Sequence, residues 1–435
     1  MSPHPVVSDR SHRPPSGLAA TVALLWSALA FGPAASGRPA PVADEAGDGD
    51  REWSQWRGPD RDGISGETGL LQSWPEGGPR KVIDVGGLGA GYSSFAASGD
   101  RLFTQGAKNG SEWVIALDAR TGVILWQTKN GPIYEDGRGD GPRGTPVIDG
   151  DRLFAMSGRG HLLSLELESG EVAWKVDLLD RFGARNISWG ISESPLVVDG
   201  KVIVNPGGRG ASIVALERDT GEVVWKSGSD RAGYSSPMLA EVGGVRQAIV
   251  FTHERVVGVA LDGGEELWSY SKVANDTANV ATPVVEGNLV FVSSDYGTGG
   301  ALLRIGSDGR SVEEVYFTRE MKNHHSSPVL VGGALYGFSS SILTALDFDT
   351  GEVLWRDRSV GKGSLIYGDG RLYLLSERGA VALAEATPAG YRELGRFQLP
   401  RGSLPSWSHP ILHDGRLILR DQDRLYAFDV RGPTP

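Results

Sequence analysis

The 435-residue chain contains no cysteine. That absence excludes disulfides, cysteine-ligated zinc, thiol nucleophiles, haem attachment through Cys-X-X-Cys-His, and lipidation at a lipobox cysteine. Histidine is scarce, with eight in all, and the formal net charge is −11. No long Lys/Arg block occurs, so a phosphate-neutralising surface is not expected and nucleic acid is a poor partner. Phosphate-loop chemistry is missing as well. Gly207-Gly208-Arg209-Gly210 and Gly297-Thr298-Gly299-Gly300 are glycine-rich, but neither opens a helix. There is no nucleophile elbow and no Ser-His-Asp order. Arg138-Gly139-Asp140 is an isolated tripeptide and reads as a turn, and the single histidines His161, His253 and His413 read as surface or turn residues.

What is present describes a soluble globular chain, 40% hydrophobic and 22% charged. Glycine, at 62 residues, is about twice its usual share. Without a collagen period, that much glycine implies many tight turns and hence many short strands.

The amino terminus reads as an export signal. Arg10, His12 and Arg13 precede an apolar run from Gly17 to Phe31, and Ala34-Ala35-Ser36 supplies small residues for cleavage. The run falls short of the ~20 residues of a comfortable membrane span, an uncleaved anchor being the alternative. The expected organisation is a signal peptide at 1–36, a disordered leader at 37–52, a β-propeller at 53–430 and a tail at 431–435. No stable membrane anchor is expected after cleavage, and a monomer is expected.

One motif recurs along the rest of the chain. Ala116-Leu117-Asp118 leads through Thr121-Gly122 to Trp126, and Ala345-Leu346-Asp347 leads through Thr350-Gly351 to Trp355. Intermediate copies end at Trp174, Trp225 and Trp268, and degenerate ones at Tyr316 or Phe317 and at Phe397. A second signature lies upstream in each period: Pro, apolar residues, an Asp-Gly or Gly-Gly turn, then another apolar run, as in Pro195 to Val204. Units of about 40–50 residues carrying four strands, here called A to D, are propeller blades. The repeated Trp is expected as a wedge between neighbouring blades. A strands are expected to start near Tyr92, Thr145, Ser194, Ser236, Thr282, Ser327, Gly363 and His409. The last unit lacks a D strand, and Arg80–Val85 fits as its missing outer strand, closing the ring. The fold class is therefore all-β, an eight-bladed propeller of four-stranded antiparallel blades; seven blades is the alternative if the unit at 363–397 is irregular.

The Pro-Val-x-x-Gly and Ala-Leu-Asp-x-x-Thr-Gly-x-x-x-Trp pair resembles the pyrroloquinoline-quinone (PQQ) type propeller repeat. That repeat builds quinoprotein alcohol dehydrogenases and also the non-catalytic outer-membrane assembly lipoprotein BamB. Trp53 to Gly63, Trp189 to Pro195 and Lys322 to His325 are similar to an exported, BamB-like subgroup. The resemblance implies fold more than activity. For the dehydrogenases it implies PQQ on the propeller axis beside Ca²⁺ held by Glu, Asn and Asp, for which Glu193 and Asn279 are the candidate ligands here.

Loops entering the A strands converge on one mouth of the central channel. They carry Tyr92, Arg143, Trp189, Glu193, Tyr234, Asn279, His325, Trp407 and His409 as candidate cofactor-binding or axial-pocket residues. Small residues among them, Ser93, Ser94, Thr145, Ser235, Ser236, Ser326 and Ser327, are expected to leave space on the axis. Such a ring reads equally as a pocket or as a polar plug. His324 and His325 are neighbours on an extended segment, so one is expected to face the axis, His325 by preference, and the other to brace a loop. Two functions follow: an exported binding or scaffold module meeting a protein, carbohydrate or small molecule at the mouth, or a PQQ- and Ca-dependent dehydrogenase of an alcohol or sugar.

Overall fold

The structure is a computed structural model in which residues 52–400 and 402–433 are described. The signal-peptide and leader readings lie outside these residues except for Glu52. The described chain is almost wholly β, with a single helical turn at Leu178–Arg181 capped by the Asp177 carboxylate. Eight antiparallel sheets follow one another along the chain, each with four propeller strands. Their first strands are Ala96–Ser98, Val147–Asp149, Leu196–Val198, Met238–Val242, Val284–Glu286, Val329–Val331, Gly363–Gly368 and Ile411–His413. These strands touch their counterparts in neighbouring blades, which places them innermost. All eight expected starts are met, and the seven-blade alternative is not.

The turn chemistry explains why the repeat has the residues it has. In five blades the A–B hairpin has a two-residue loop with both residues at positive φ, among them Asp199-Gly200, Asp369-Gly370 and Asp414-Gly415. That conformation selects Asp-Gly and Gly-Gly. Between strands C and D, the Asp118 carboxylate accepts from both the backbone N–H and the hydroxyl of Thr121 (each 2.8 Å), and Asp347 does the same with Thr350. The motif's Asp and Thr are thus one closed turn.

The motif's Gly and Trp meet across blades. A Cβ on Gly221, whose φ is +71°, would lie 2.9 Å from the Trp174 ring of the preceding blade. The same pairing joins Gly170 to Trp126, Gly264 to Trp225 and Gly351 to Tyr316. In three of these four seams the ring polar atom donates into the next blade: Trp174 Nε1–H to the Arg218 carbonyl, Trp225 Nε1–H to that of Leu261, and the Tyr316 hydroxyl to that of Phe348 (2.8, 2.8 and 3.0 Å), whereas Trp126 Nε1 is buried without a partner. Tyr316 therefore fills the degenerate position, with Phe317 beside it. Blade 4 departs from the rule because blade 5 has no Thr-Gly turn. There Trp268 donates back to Gln247, and Gln247 reaches the Gly309 carbonyl of blade 5.

Ring closure is as the sequence implies. Arg80–Val85 pairs antiparallel with Arg424–Asp429 as the outer strand of blade 8, and Ile83 and Val85 pack on Gly122 of blade 1 in place of a tryptophan. Beyond Val430 the chain still pairs, Gly432 N–H donating to the Gly69 carbonyl.

At the hub, small side chains stitch the blades together. Ser94 N–H donates to Thr145 Oγ1, Thr145 N–H to Ser194 Oγ, Ser194 N–H to Ser236 Oγ and Thr282 N–H to Ser327 Oγ (2.8–3.2 Å). Each residue before the Pro or A strand thus takes its partner from the next blade. Besides being small, these residues have a second role: the hydroxyls of Thr145, Ser194, Ser236 and Ser327 satisfy buried N–H groups that no ladder reaches. His413 also departs from expectation, being buried on the last A strand with Nε2 2.8 Å from the Gly99 carbonyl.

Candidate functional site

The segment Trp53–Ser65 enters the ring and fills its axis. Trp53 bridges to Ala97 in blade 1, the Ser54 carbonyl accepts from Ile148 N–H in blade 2, and Ile64–Ser65 runs parallel to Tyr367–Gly368 in blade 7. Two buried arginines span what lies between. Arg57 donates to the carbonyls of Ser327 (2.9 Å) and Pro328 (2.6 Å) in blade 6, and Arg61 to those of Ser194 (2.8 Å) and Pro195 (2.9 Å) in blade 3. These carbonyls are available because the repeat's Pro has no N–H and the ladder begins only after it. Guanidinium forks match that array of acceptors. Both arginines have positive φ, 64° and 58°. Burial lowers their pKa values to about 10 and 9, which still leaves them cationic near neutrality.

Above this plug, at the A-strand entrances, lies a cavity of about 130 Å³. Its walls are aromatic. Trp407 stands between Tyr92 (4.9 Å between ring centres) and His325 (5.9 Å), and Trp189 lies 5.7 Å from Tyr234. Trp56 rises from the plug, its ring centre 4.6 Å from that of His409 and tilted to it by 54°, with its Nε1–H donating to Thr282 Oγ1 (2.9 Å). The Trp407 N–H is fixed by Glu377 (2.8 Å). Tyr296 and His324 complete the wall, the tyrosine hydroxyl 3.0 Å from His324 Nε2.

Cations sit over these rings. The Arg138 guanidinium lies 5.2 Å from the Trp189 ring centre and that of Arg143 4.7 Å from Tyr134. Arg143 also ties down its own loop by donating to the carbonyls of Gly139 and Gly141. That loop is held from below by Glu112, whose carboxylate accepts from Tyr134 N–H (3.0 Å) and Gly158 N–H (2.9 Å). Burial pushes the Glu112 carboxyl up to about 7.

Six of the nine sequence candidates line the cavity: Tyr92, Arg143, Trp189, Tyr234, His325 and Trp407. The other three stand behind it. His409 supports Trp56, its Nε2 3.2 Å from the His325 carbonyl. Asn279 braces a loop, donating to the Thr252 and His253 carbonyls and accepting from Asn275. Glu193 is buried beside the plug, with Oε1 accepting from Asn205 N–H (2.7 Å) and Oε2 without a partner. Burial raises its carboxyl to about 8, against the opposing pull of the Asn205 N–H and of Arg61.

The histidines are held neutral. Burial lowers His324 to about 4 and His409 to about 3, and drives His325 well below its ordinary value, with neighbouring positive charge acting the same way. His324 and His325 both line the cavity, and His324 also braces the Tyr296 loop. His324 Nδ1 and both ring nitrogens of His325 are buried without a protein partner. Among the described residues no group of three or more His, Asp and Glu side chains is placed to hold a metal.

Sequence reasoning missed Trp56, Arg57, Arg61, Asp136, Arg138 and Tyr296. The available signal for the first three was a Trp- and Arg-rich segment that obeys no repeat. Arg138 was present in the tripeptide read as a turn. Tyr296 comes from a B–C loop rather than from an A-strand entrance, and nothing in the sequence marks it.

The chain matches the family model for outer membrane protein assembly factor BamB over residues 110–357. The Yersinia pestis protein of that name is 24% identical over 355 residues, covering 79% of this chain and 77% of its own. Among solved structures, BamB from Moraxella catarrhalis superposes with a TM-score of 0.57 at 15% identity, covering 81% of this chain and 99% of that one. A quinohemoprotein alcohol dehydrogenase from Pseudomonas putida gives a TM-score of 0.63 at 13% identity, covering 89% and 81%. At such identities these two likenesses concern the fold alone. With more than half its length matched by the family model and its repeat forming the eight-bladed ring, the chain belongs to the BamB family of PQQ-like β-propellers.

Proposed function

We propose that the protein is an exported binding propeller that engages its ligand or partner at the aromatic mouth of a plugged channel. The observation that carries this reading is the plug itself. Trp53–Ser65 takes the axis with its own side chains, so what remains is a small cavity above it. The basic and apolar amino terminus supports export, and the relatives named for outer membrane protein assembly support a role in binding protein partners. Among the described residues no helix is long and apolar enough to cross a membrane.

The PQQ- and Ca-dependent alternative has the dehydrogenase likeness in its favour, but the residues do not fit the groups. A calcium ion needs about six to eight oxygens. Asn279 has its amide oxygen committed to Asn275 in its own loop and its amide nitrogen to Thr252 and His253, and Glu193 has one free oxygen, with the Arg61 cation acting on it. A cavity of about 130 Å³ lies well under the ~300 Å³ at which drug-sized ligand sites begin, and a fused tricyclic quinone belongs to that size class. The test is to titrate the purified protein with PQQ and Ca²⁺ and assay dye-linked alcohol and sugar oxidation. No saturable binding and no oxidation are expected; stoichiometric PQQ binding overturns the reading.

A further inference from the structure

Three tryptophans stand outside the repeat register and meet at the mouth cavity. Trp56 comes from the plug, Trp189 from the entry to blade 3 and Trp407 from the entry to blade 8. None fills a blade seam, and all three are only half-buried. Indole surface left open to water forgoes hydrophobic stabilisation, so orienting three such faces toward one small space favours a ligand that covers them. Trp56 and Trp407 are locked by their indole N–H groups and by the rings of His409, Tyr92 and His325 beside them, and each still presents part of its ring to the cavity.

The polar groups around the cavity arrive from several different connections instead of clustering at one end. Asp136 and Arg138 come from the loop before blade 2, Ser236 from the entry to blade 4, and His325 from the entry to blade 6. Arg138 makes no ion pair with the described residues, and the ring nitrogens of His325 have no protein partner. Buried polar groups left unpaired cost about 1–3 kcal/mol each, so the imidazole nitrogens of His324 and His325 call for a partner, while the exposed Arg138 is free to reach one. A flat aromatic acid would need cations at one end only. A pyranose ring has apolar C–H faces that stack on indoles and hydroxyls all around its rim, and it is small enough for the cavity.

We propose that the mouth cavity binds a single pyranose sugar, stacked on the half-buried tryptophans with its hydroxyls met by Asp136, Arg138 and the histidine wall. This rests on the reading of the mouth as a binding site, and it names the ligand class. The test is calorimetric titration of the full-length protein with glucose, galactose, mannose, N-acetylglucosamine, glucuronate and galacturonate. At least one is expected to bind saturably at one site, and Trp189→Ala and Asp136→Asn to weaken it at least about tenfold, or 1.4 kcal/mol. Asp136→Asn keeps the oxygen that accepts from Arg138 N–H (2.8 Å), so its fold is preserved even if the tryptophan variant is unstable. No saturable binding of any of the six sugars, or binding unchanged in both variants, overturns the proposal. Sugar failure with PQQ also silent removes only the sugar, whereas PQQ binding removes the binding-module reading as well.

Discussion

At the scale of single residues, the unusual feature is charge held inside an all-β ring without ion pairing. Arg420 is fully buried and donates to the carbonyls of Ser93, Gln105, Gly89 and Gln422 and to the Thr104 hydroxyl, much as Arg57 and Arg61 do at the axis. Removing a fork strands the acceptors it served. Arg61→Met should therefore lower stability by about 1–3 kcal/mol for each orphaned carbonyl, read from urea unfolding. A midpoint unchanged from the parent would show that water replaces the guanidinium without loss.

Glu193 gives a pH signature of definite sign. Its ordinary pKa is 4.5 and burial raises it to about 8 in the fold. Between those values the folded chain holds a proton that the unfolded chain has released, so stability falls as pH rises, by up to about 1.4 kcal/mol per pH unit. Glu193→Gln should gain on the parent from pH 5 to pH 8 and hold a constant advantage above that. A difference flat across this range would mean that Glu193 is ionised in the fold. The neutral histidines act oppositely: stability is lost as pH falls below about 6.5, where the unfolded chain takes up protons that His324 and His409 refuse.

At the scale of elements, one interaction is repeated around the ring: a glycine at positive φ under the ring of the preceding blade. Gly221 and Gly210 separate its two components. Both have positive φ, +71° and +68°, but a Cβ at Gly210 meets nothing within 4 Å while one at Gly221 meets Trp174. Gly221→Ala should cost about 1–3 kcal/mol more than Gly210→Ala, the excess being overpacking at the seam. Equal costs would reduce the glycine's role to backbone conformation. The same logic explains what could be read in advance. Asp, Thr, Gly and Trp are each required by a turn or seam made in every blade, so periodicity exposes them. Tyr316 could not be separated from Phe317 because either ring is large enough, and only the hydroxyl's reach to the Phe348 carbonyl decides.

At the scale of the whole molecule, the ring closes twice, once at its rim and once at its hub. Rim closure was legible because blade 8 visibly lacks an outer strand. Hub closure was not, because Arg57 and Arg61 find their partners 271 and 134 positions away, and a segment used once has no period to betray it. Six pocket residues were legible because A-strand entrances converge in any propeller; Trp56 and Tyr296 reach the same place from other directions. In a fold shared with dehydrogenases, the plug takes the axis and leaves a small cavity above it. Amide hydrogen exchange across Trp53–Ser65 tests that most directly. Gly58, Arg61 and Gly63 donate their N–H groups within the plug, and Ile64–Ser65 pairs with blade 7. Exchange in this segment as slow as in the innermost strands of blades 3 and 6 is the predicted result; exchange at the rate of an exposed chain would contradict it.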